Sequence, residues 1–161
     1  MNNYFSKNII TLTLLILTSF IGFSQENNEK KYKVAESLLK ENQYIEARKL
    51  YKQIEKDEPN NSNIAYKIGL TYYYSKINID STIYYLEKAS NNISVDFTNK
   101  FSDKTAPTLT WYYLGRSLHY AYNFEEAIFY LDTLKNYVKD KDLITEIDHL
   151  IESSNIGFEM L

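Results

Sequence analysis

The stretch from Trp111 to Leu134, WYYLGRSLHYAYNFEEAIFYLDTL, has the apolar spacing of two amphipathic helices joined by a short turn. Gly115 and Ala127 place one small residue in each of these helices. Because small side chains let two helix backbones approach closely, the pattern predicts a helical hairpin whose helices cross at these positions. We interpret this hairpin as one unit of a helical repeat.

Two weaker copies of the hairpin precede it, at about residues 28–61 and 62–95. Ala35 and Gly69 fill the same place in their helices and are 34 residues apart. Ala35 and Ala47 are 12 residues apart, the spacing that the two small residues of the opening stretch also have. Self-similarity at a fixed period of this length predicts a stack of helical hairpins.

A polar insertion separates the second copy from the third, which spans about residues 108–139. Gly69 and Gly115 are 46 residues apart, 12 more than one period, and most of the excess falls in residues 91–107, NNISVDFTNKFSDKTAP. Three apolar side chains of the insertion are expected to pack against the repeat surface: Val95, Phe97 and Phe101.

A final helix is predicted over residues 140–155, where it would cap the stack. Asp140 is a suitable residue to cap its first turn, and Gly157 is a suitable residue to end it. Residues 156–161 then form a C-terminal tail. We expect the repeat domain as a whole to cover residues 25–155.

The first 24 residues have the layout of a secretory signal peptide. Lys7 precedes an apolar run over residues 9–23, which is short for a membrane-spanning helix of about 20 residues. Gly22 and Ser24 place small residues at the −3 and −1 positions of a signal-peptide cleavage site before Gln25. The pattern favours an exported protein, and the rival interpretation is an uncleaved N-terminal anchor.

The composition gives little support to catalysis or to nucleic-acid binding. The formal net charge is −3 and no basic stripe appears, so a nucleic-acid partner is not expected. There is no Cys, and the two His residues lie on different predicted helices. We find no phosphate loop, metal-spaced cluster or catalytic triad, and therefore predict no enzyme activity, catalytic residue, metal, cofactor or small-molecule substrate.

These residues resemble the tetratricopeptide repeat (TPR). The third unit matches its motif best, through Trp111, Leu114, Gly115, Ala127 and Leu131. The first unit matches through Val34, Ala35, Ala47, Tyr51, Ile54 and Pro59, and has Lys31 where the family has Trp. The second has Thr82 in place of Ala. The resemblance implies an all-α, TPR-like right-handed superhelix of three helical hairpins plus a C-terminal capping helix.

The resemblance also implies where a partner binds. In TPR proteins the first helices of the hairpins line a concave groove, and Tyr stands at the same place in all three units here. The side chains that the family pattern assigns to this groove are Tyr32, Glu36, Tyr66, Leu70, Tyr73, Tyr74, Tyr112, Arg116, His119 and Tyr120. Tyr and Arg are enriched among hot-spot residues, so the expected partner is a peptide or protein.

Three hypotheses for function remain open from the sequence. The first is an exported TPR-type interaction module that binds a peptide or protein, such as another envelope protein, in its aromatic groove. The second is a structural docking segment, since the chain also resembles the N-terminal part of Gram-negative envelope proteins that carry WD40-like propeller and OmpA-type peptidoglycan-binding domains. It would then be a shortened relative or a fragment. The third is an enzyme whose site has no recognisable motif.

Overall fold

A computed structural model describes residues 25–160. The predicted signal peptide and the last residue of the predicted tail lie outside the described residues. Helix α1 covers residues 25–40. The other elements, in chain order, are α2 Tyr44–Asp57, α3 Ser62–Ser75, α4 Ile79–Ser90, β1 Ile93–Ser94, β2 Ala106–Pro107, α5 Leu109–Tyr120, α6 Phe124–Lys135 and α7 Lys141–Glu159.

Adjacent helices pack in pairs along the described chain. Tyr32 of α1 meets Tyr51 of α2 edge to face, with ring centroids 6.0 Å apart. Contacts then run from α2 to α3, α3 to α4, α4 to α5, α5 to α6 and α6 to α7. The all-α helical-repeat fold predicted from the sequence is therefore confirmed. No helix within residues 25–160 is long and apolar enough to cross a membrane.

The small residues of the repeat lie where paired helices touch. A Cβ atom on Gly115 would fall 2.7 Å from Leu131 Cγ and 3.1 Å from the Ala127 carbonyl oxygen. A Cβ atom on Gly69 would fall 2.7 Å from a methyl carbon of Leu86. Any larger side chain would push the helices apart, because interiors are close-packed. The crossing predicted at Gly115 and Ala127 is thus confirmed.

The insertion folds back onto the helices instead of projecting into solvent. Its two ends meet in the parallel β1–β2 pair, where Ile93 lies opposite Ala106. Phe101 is buried, as expected. The expectation for Val95 is wrong, since that side chain is 68% exposed. The chain turns directly after Ser94, whose hydroxyl accepts a hydrogen bond from the Asp96 amide, and this turn leaves Val95 in solvent.

The C-terminal helix α7 follows the prediction at its start but not at its end. The Asp140 carboxylate accepts hydrogen bonds from the Asp142 and Leu143 amides, at 2.9 and 3.2 Å, so the predicted cap is confirmed. The predicted end at Gly157 is wrong, because α7 continues to Glu159. Gly157 lies inside the helix, where the Phe124 ring occupies the place that its Cβ would need.

Trp111 joins the third hairpin to the C-terminal helix. Its ring lies 5.2 Å from that of Tyr137, and it packs onto the cluster built around Ile147 of α7. The third hairpin uses Trp111 to bind α7, because α7 packs against both α5 and α6.

Candidate binding groove

Helices α1, α3, α5 and α7 lie side by side and form one face of the stack, here called the groove face. An ion pair of 2.8 Å between Glu36 and Lys67 joins α1 to α3. Helix α3 contacts α5, and α5 contacts α7. All ten side chains assigned to the groove from the sequence lie on α1, α3 or α5.

The ten assigned side chains differ widely in exposure. Four of them are buried: Tyr32, Tyr66, Leu70 and Tyr112. Four are partly buried: Glu36, Tyr73, Arg116 and His119. Only Tyr74 and Tyr120 are exposed. The assigned set therefore does not form one open surface, and the insertion explains why.

Residues 97–104 of the insertion, here called the strap, cover the groove face at its α1–α3 end. The Phe101 ring packs 5.8 Å from that of Tyr32, and the Phe97 ring packs 6.3 Å from that of Tyr66. The side-chain amide of Asn99 donates a hydrogen bond of 3.0 Å to Glu36. At this end the groove face is already covered by a loop of the protein's own chain.

A buried asparagine fixes the backbone of the strap. The amide nitrogen of Asn63 in α3 donates to the carbonyl oxygens of Lys100 and Asp103, at 3.1 and 3.2 Å. The Asp103 carboxylate in turn accepts from the Thr98 and Lys100 amides, which closes the strap on itself. The sequence motif gave no signal for this role of Asn63, because its partners lie 37 and 40 residues away.

Glu36 is held charged beneath the strap. Burial alone raises the pKa of this carboxyl, but the ammonium group of Lys67 and hydrogen bonds to its oxygens outweigh burial and leave the pKa below its ordinary value. One of these bonds comes from the Tyr51 hydroxyl. The side chain is thus committed to internal partners, and little of it faces a ligand.

A cluster of tyrosines links the covered end of the groove face to its open end. Tyr113 lies at the centre, with its ring 6.3 Å from Tyr66 and 5.0 Å from Tyr73. Its hydroxyl lies 2.8 Å from that of Tyr74. Burial raises the pKa of Tyr113 well above its ordinary value, so the phenol stays neutral. The family pattern did not assign Tyr113 to the groove.

Beyond the strap, an open cavity of about 390 Å³ remains between α3, α4 and α5. We call it the tyrosine hollow. It is lined by Tyr72, Tyr73, Tyr74, Lys76, Asn78, Ile79, Thr82, Arg116, Ser117 and Tyr120. Four of these were assigned from the sequence, and α4 with the turn before it supplies others that were not. The pattern missed them because it places only first helices in the groove.

Arg116 is positioned at the edge of the hollow by α7. Its Nη1 donates to the Tyr112 hydroxyl at 2.7 Å and to Glu146 at 3.1 Å, and its Nη2 lies 3.4 Å from the Tyr120 hydroxyl. Its Nε is covered and has no acceptor. Burial and the hydrogen bond to Glu146 raise the pKa of Tyr112 to about 12.

His119 belongs to the contact between α5 and α7. Its Nδ1 lies 2.8 Å from the Ser154 hydroxyl, which itself donates to the Leu150 carbonyl oxygen at 2.7 Å. Because the serine proton is used there, His119 Nδ1 must be the donor. Burial, and then the charge of Arg116, lower the pKa of His119, so it is a neutral contact residue.

Comparison with known proteins adds no relative to this picture. No family model matches the chain, and the search of curated proteins gives no significant match. Within residues 25–160 no group of three or more His, Asp or Glu side chains is placed to hold a metal ion. The geometry of the groove face is therefore the basis for a proposal about function.

Proposed function

We propose that this protein is an exported, TPR-type interaction module that binds a peptide or protein partner on its groove face. The partner is another protein of the cell envelope, and the tyrosine hollow is the main contact site. The proposed export rests on the signal-peptide pattern of residues 1–24, and the proposed periplasmic or outer-membrane location rests on the resemblance to Gram-negative envelope proteins. No catalytic residue or cofactor is assigned.

The observation that carries this proposal is the hollow itself. It stays open beside a part of the same face on which a folded loop of the protein's own chain packs, so this face already binds polypeptide at its α1–α3 end. Tyr120 is 57% exposed and Tyr74 is 41% exposed at its edges. Exposed tyrosines next to an arginine are the composition found at the energetic centre of protein interfaces.

Site-specific crosslinking tests the proposal. A photo-crosslinking amino acid replaces Tyr120 at the hollow, Tyr84 on α4 or Lys49 on α2, the latter two being exposed positions that do not line it. We expect one defined product in cells from position 120 and none from position 49. A protein that crosslinks from none of the three positions, or equally from all, is not a groove-binding module. N-terminal sequencing of the exported protein, expected to begin at Gln25, tests the location.

A second candidate function is docking into a larger envelope assembly through the outer side of α4 and α6. Tyr84 and Phe129 are both largely exposed there, and two shallow cavities of about 480 and 460 Å³ share Glu87 and Tyr130. This corresponds to the docking-segment hypothesis for an OmpA-like, peptidoglycan-linked protein. Crosslinking from position 84 without crosslinking from position 120 would favour it.

A further inference from the structure

The charged side chains that line the tyrosine hollow are all basic, although the net charge of the chain is −3. Its lining contains two cations, Lys76 and Arg116, and no Asp or Glu. Opposite charge placed at an interface selects partners and rejects those of like charge. A basic segment is therefore disfavoured in this hollow, and an acidic segment is favoured.

Both cations have hydrogen-bond donors that are not used within the described part of the chain. Lys76 ends α3 in the left-handed conformation, with φ of 53°, and its ammonium group has no hydrogen bond or ion pair to any residue within 25–160. The Nη2 of Arg116 makes only the long contact to Tyr120, although a guanidinium presents five donors. Glu146 engages Nη1 alone, so the side of Arg116 toward Tyr120 is free for a carboxylate.

Apolar surface lies directly beside these donors. Ile79, at the start of α4, is 41% exposed and lines the hollow together with Tyr74 and Tyr120. The cavity volume of about 390 Å³ is near the lower end of the range of roughly 300–1,000 Å³ typical of ligand pockets. It suits a few side chains of an extended segment better than a whole helix.

We propose that the tyrosine hollow recognises a partner segment in which an acidic side chain stands next to a bulky apolar one. The carboxylate bonds to Arg116 and Lys76, and the apolar side chain packs against Ile79 and the tyrosine rings. This inference rests on the proposed function, because it names the chemistry of the partner for the same site.

Fluorescence polarisation with labelled peptides tests the inference on the exported form of the protein. The probes are Gly-Ser-Asp-Leu-Phe-Ser-Gly and the same peptide with Asn or Lys in place of Asp. We expect the Asp peptide to bind about tenfold more tightly than the Asn peptide at low salt, since hydrogen bonds to charged groups are the stronger ones. The difference shrinks at 0.5 M NaCl, because salt screens exposed charges.

Two matched variants place the effect in the hollow. Lys76→Gln removes a cation from the lining, and Lys49→Gln removes an equally exposed cation from α2. We expect Lys76→Gln to weaken the Asp peptide about twofold to fivefold, the range for one exposed ion pair, and to leave the Asn peptide unchanged. Lys49→Gln should change neither.

Three other results would each overturn the inference about acidic segments, and none of them by itself decides whether the proposed function is correct. Equal affinity for the Asp and Asn peptides, with both lost in Ile79→Ser, shows an apolar binding site without acidic selection. Tightest binding of the Lys peptide shows a partner of the opposite charge. If no peptide binds, acidic recognition is wrong, and crosslinking from position 120, which depends on no peptide sequence, still decides whether the groove binds a protein.

Discussion

Replacing Asn63 by Ala should release the strap from the groove face. The side chain is fully buried, and its amide nitrogen donates to the carbonyl oxygens of Lys100 and Asp103 and lies 3.3 Å from the Tyr32 hydroxyl. Each of these three hydrogen bonds costs about 1 kcal/mol when it is lost, and the freed carbonyl groups bond to water once the strap leaves the groove face. The Oδ1 atom of Asn63 is buried without a hydrogen-bond partner, so its removal stabilises the folded state by about 1 kcal/mol. The net loss is about 2 kcal/mol.

Urea unfolding followed by circular dichroism measures this loss. With an m value of about 2 kcal/mol/M, the midpoint should fall by about 1 M at unchanged slope. Hydrogen exchange read by mass spectrometry should accelerate, relative to the parent, more in residues 97–104 than in α6, because the strap is released locally as well. Asn60→Ala, an exposed neighbour, is the control.

A midpoint that shifts by less than about 0.2 M, with strap exchange as slow as in the parent, would refute this reasoning. The strap would then be held by its aromatic contacts, Phe97 on Tyr66 and Phe101 on Tyr32. Exchange that accelerates no more in residues 97–104 than in α6 would also contradict it, since the protein would then be destabilised without selective release of the strap.

Three further predictions follow from the contacts described above. Gly115→Ala should lower the melting temperature, because the added methyl group overpacks the contact with Leu131. Overpacking costs about 1–3 kcal/mol and outweighs the gain in helix propensity, which is about 1 kcal/mol. An equal or higher melting temperature would contradict this. Glu36 has a lowered pKa in the folded protein, so its contribution to stability is present above the ordinary carboxyl pKa and is lost as the pH falls through the lowered value. Urea midpoints against pH should therefore drop less on acidification in Glu36→Gln, which has already lost the pairing with Lys67. Glu146→Gln should lower the pKa of Tyr112 from about 12, measured by the ¹³Cζ shift of its ring, and no change would show that burial alone sets it.

The architecture was largely predictable from the sequence because close helix crossings demand small residues. Gly69 and Gly115 each face a leucine of the paired helix at a distance that admits no Cβ, so their spacing marks the hairpins directly. Thr82 fits at an Ala position because its hydroxyl donates to the Asn78 carbonyl oxygen at 2.9 Å, within its own helix. Local chemistry of this kind is visible in a sequence.

The open part of the groove was less predictable, because its extent depends on contacts between distant residues. The strap has no helical period, and its placement depends on Asn63 and Tyr32, which lie in earlier hairpins. The family pattern assigns groove positions by their place in the first helices, and that place is unchanged when another segment covers them. Tyr32 and Tyr66 were therefore assigned to a surface from which the protein's own chain excludes solvent.

The strap and α7 together determine which part of the groove face a partner can use. At the α1–α3 end, Glu36 and Asn63 each form hydrogen bonds with the strap. A partner must therefore displace the strap before it can form those hydrogen bonds itself. At the α5–α7 end, Glu146 holds one side of Arg116 and leaves the other side facing the hollow. The tyrosine hollow is therefore a site on this face that a partner can use without displacing the strap, because there the partner meets exposed rings and spare donors.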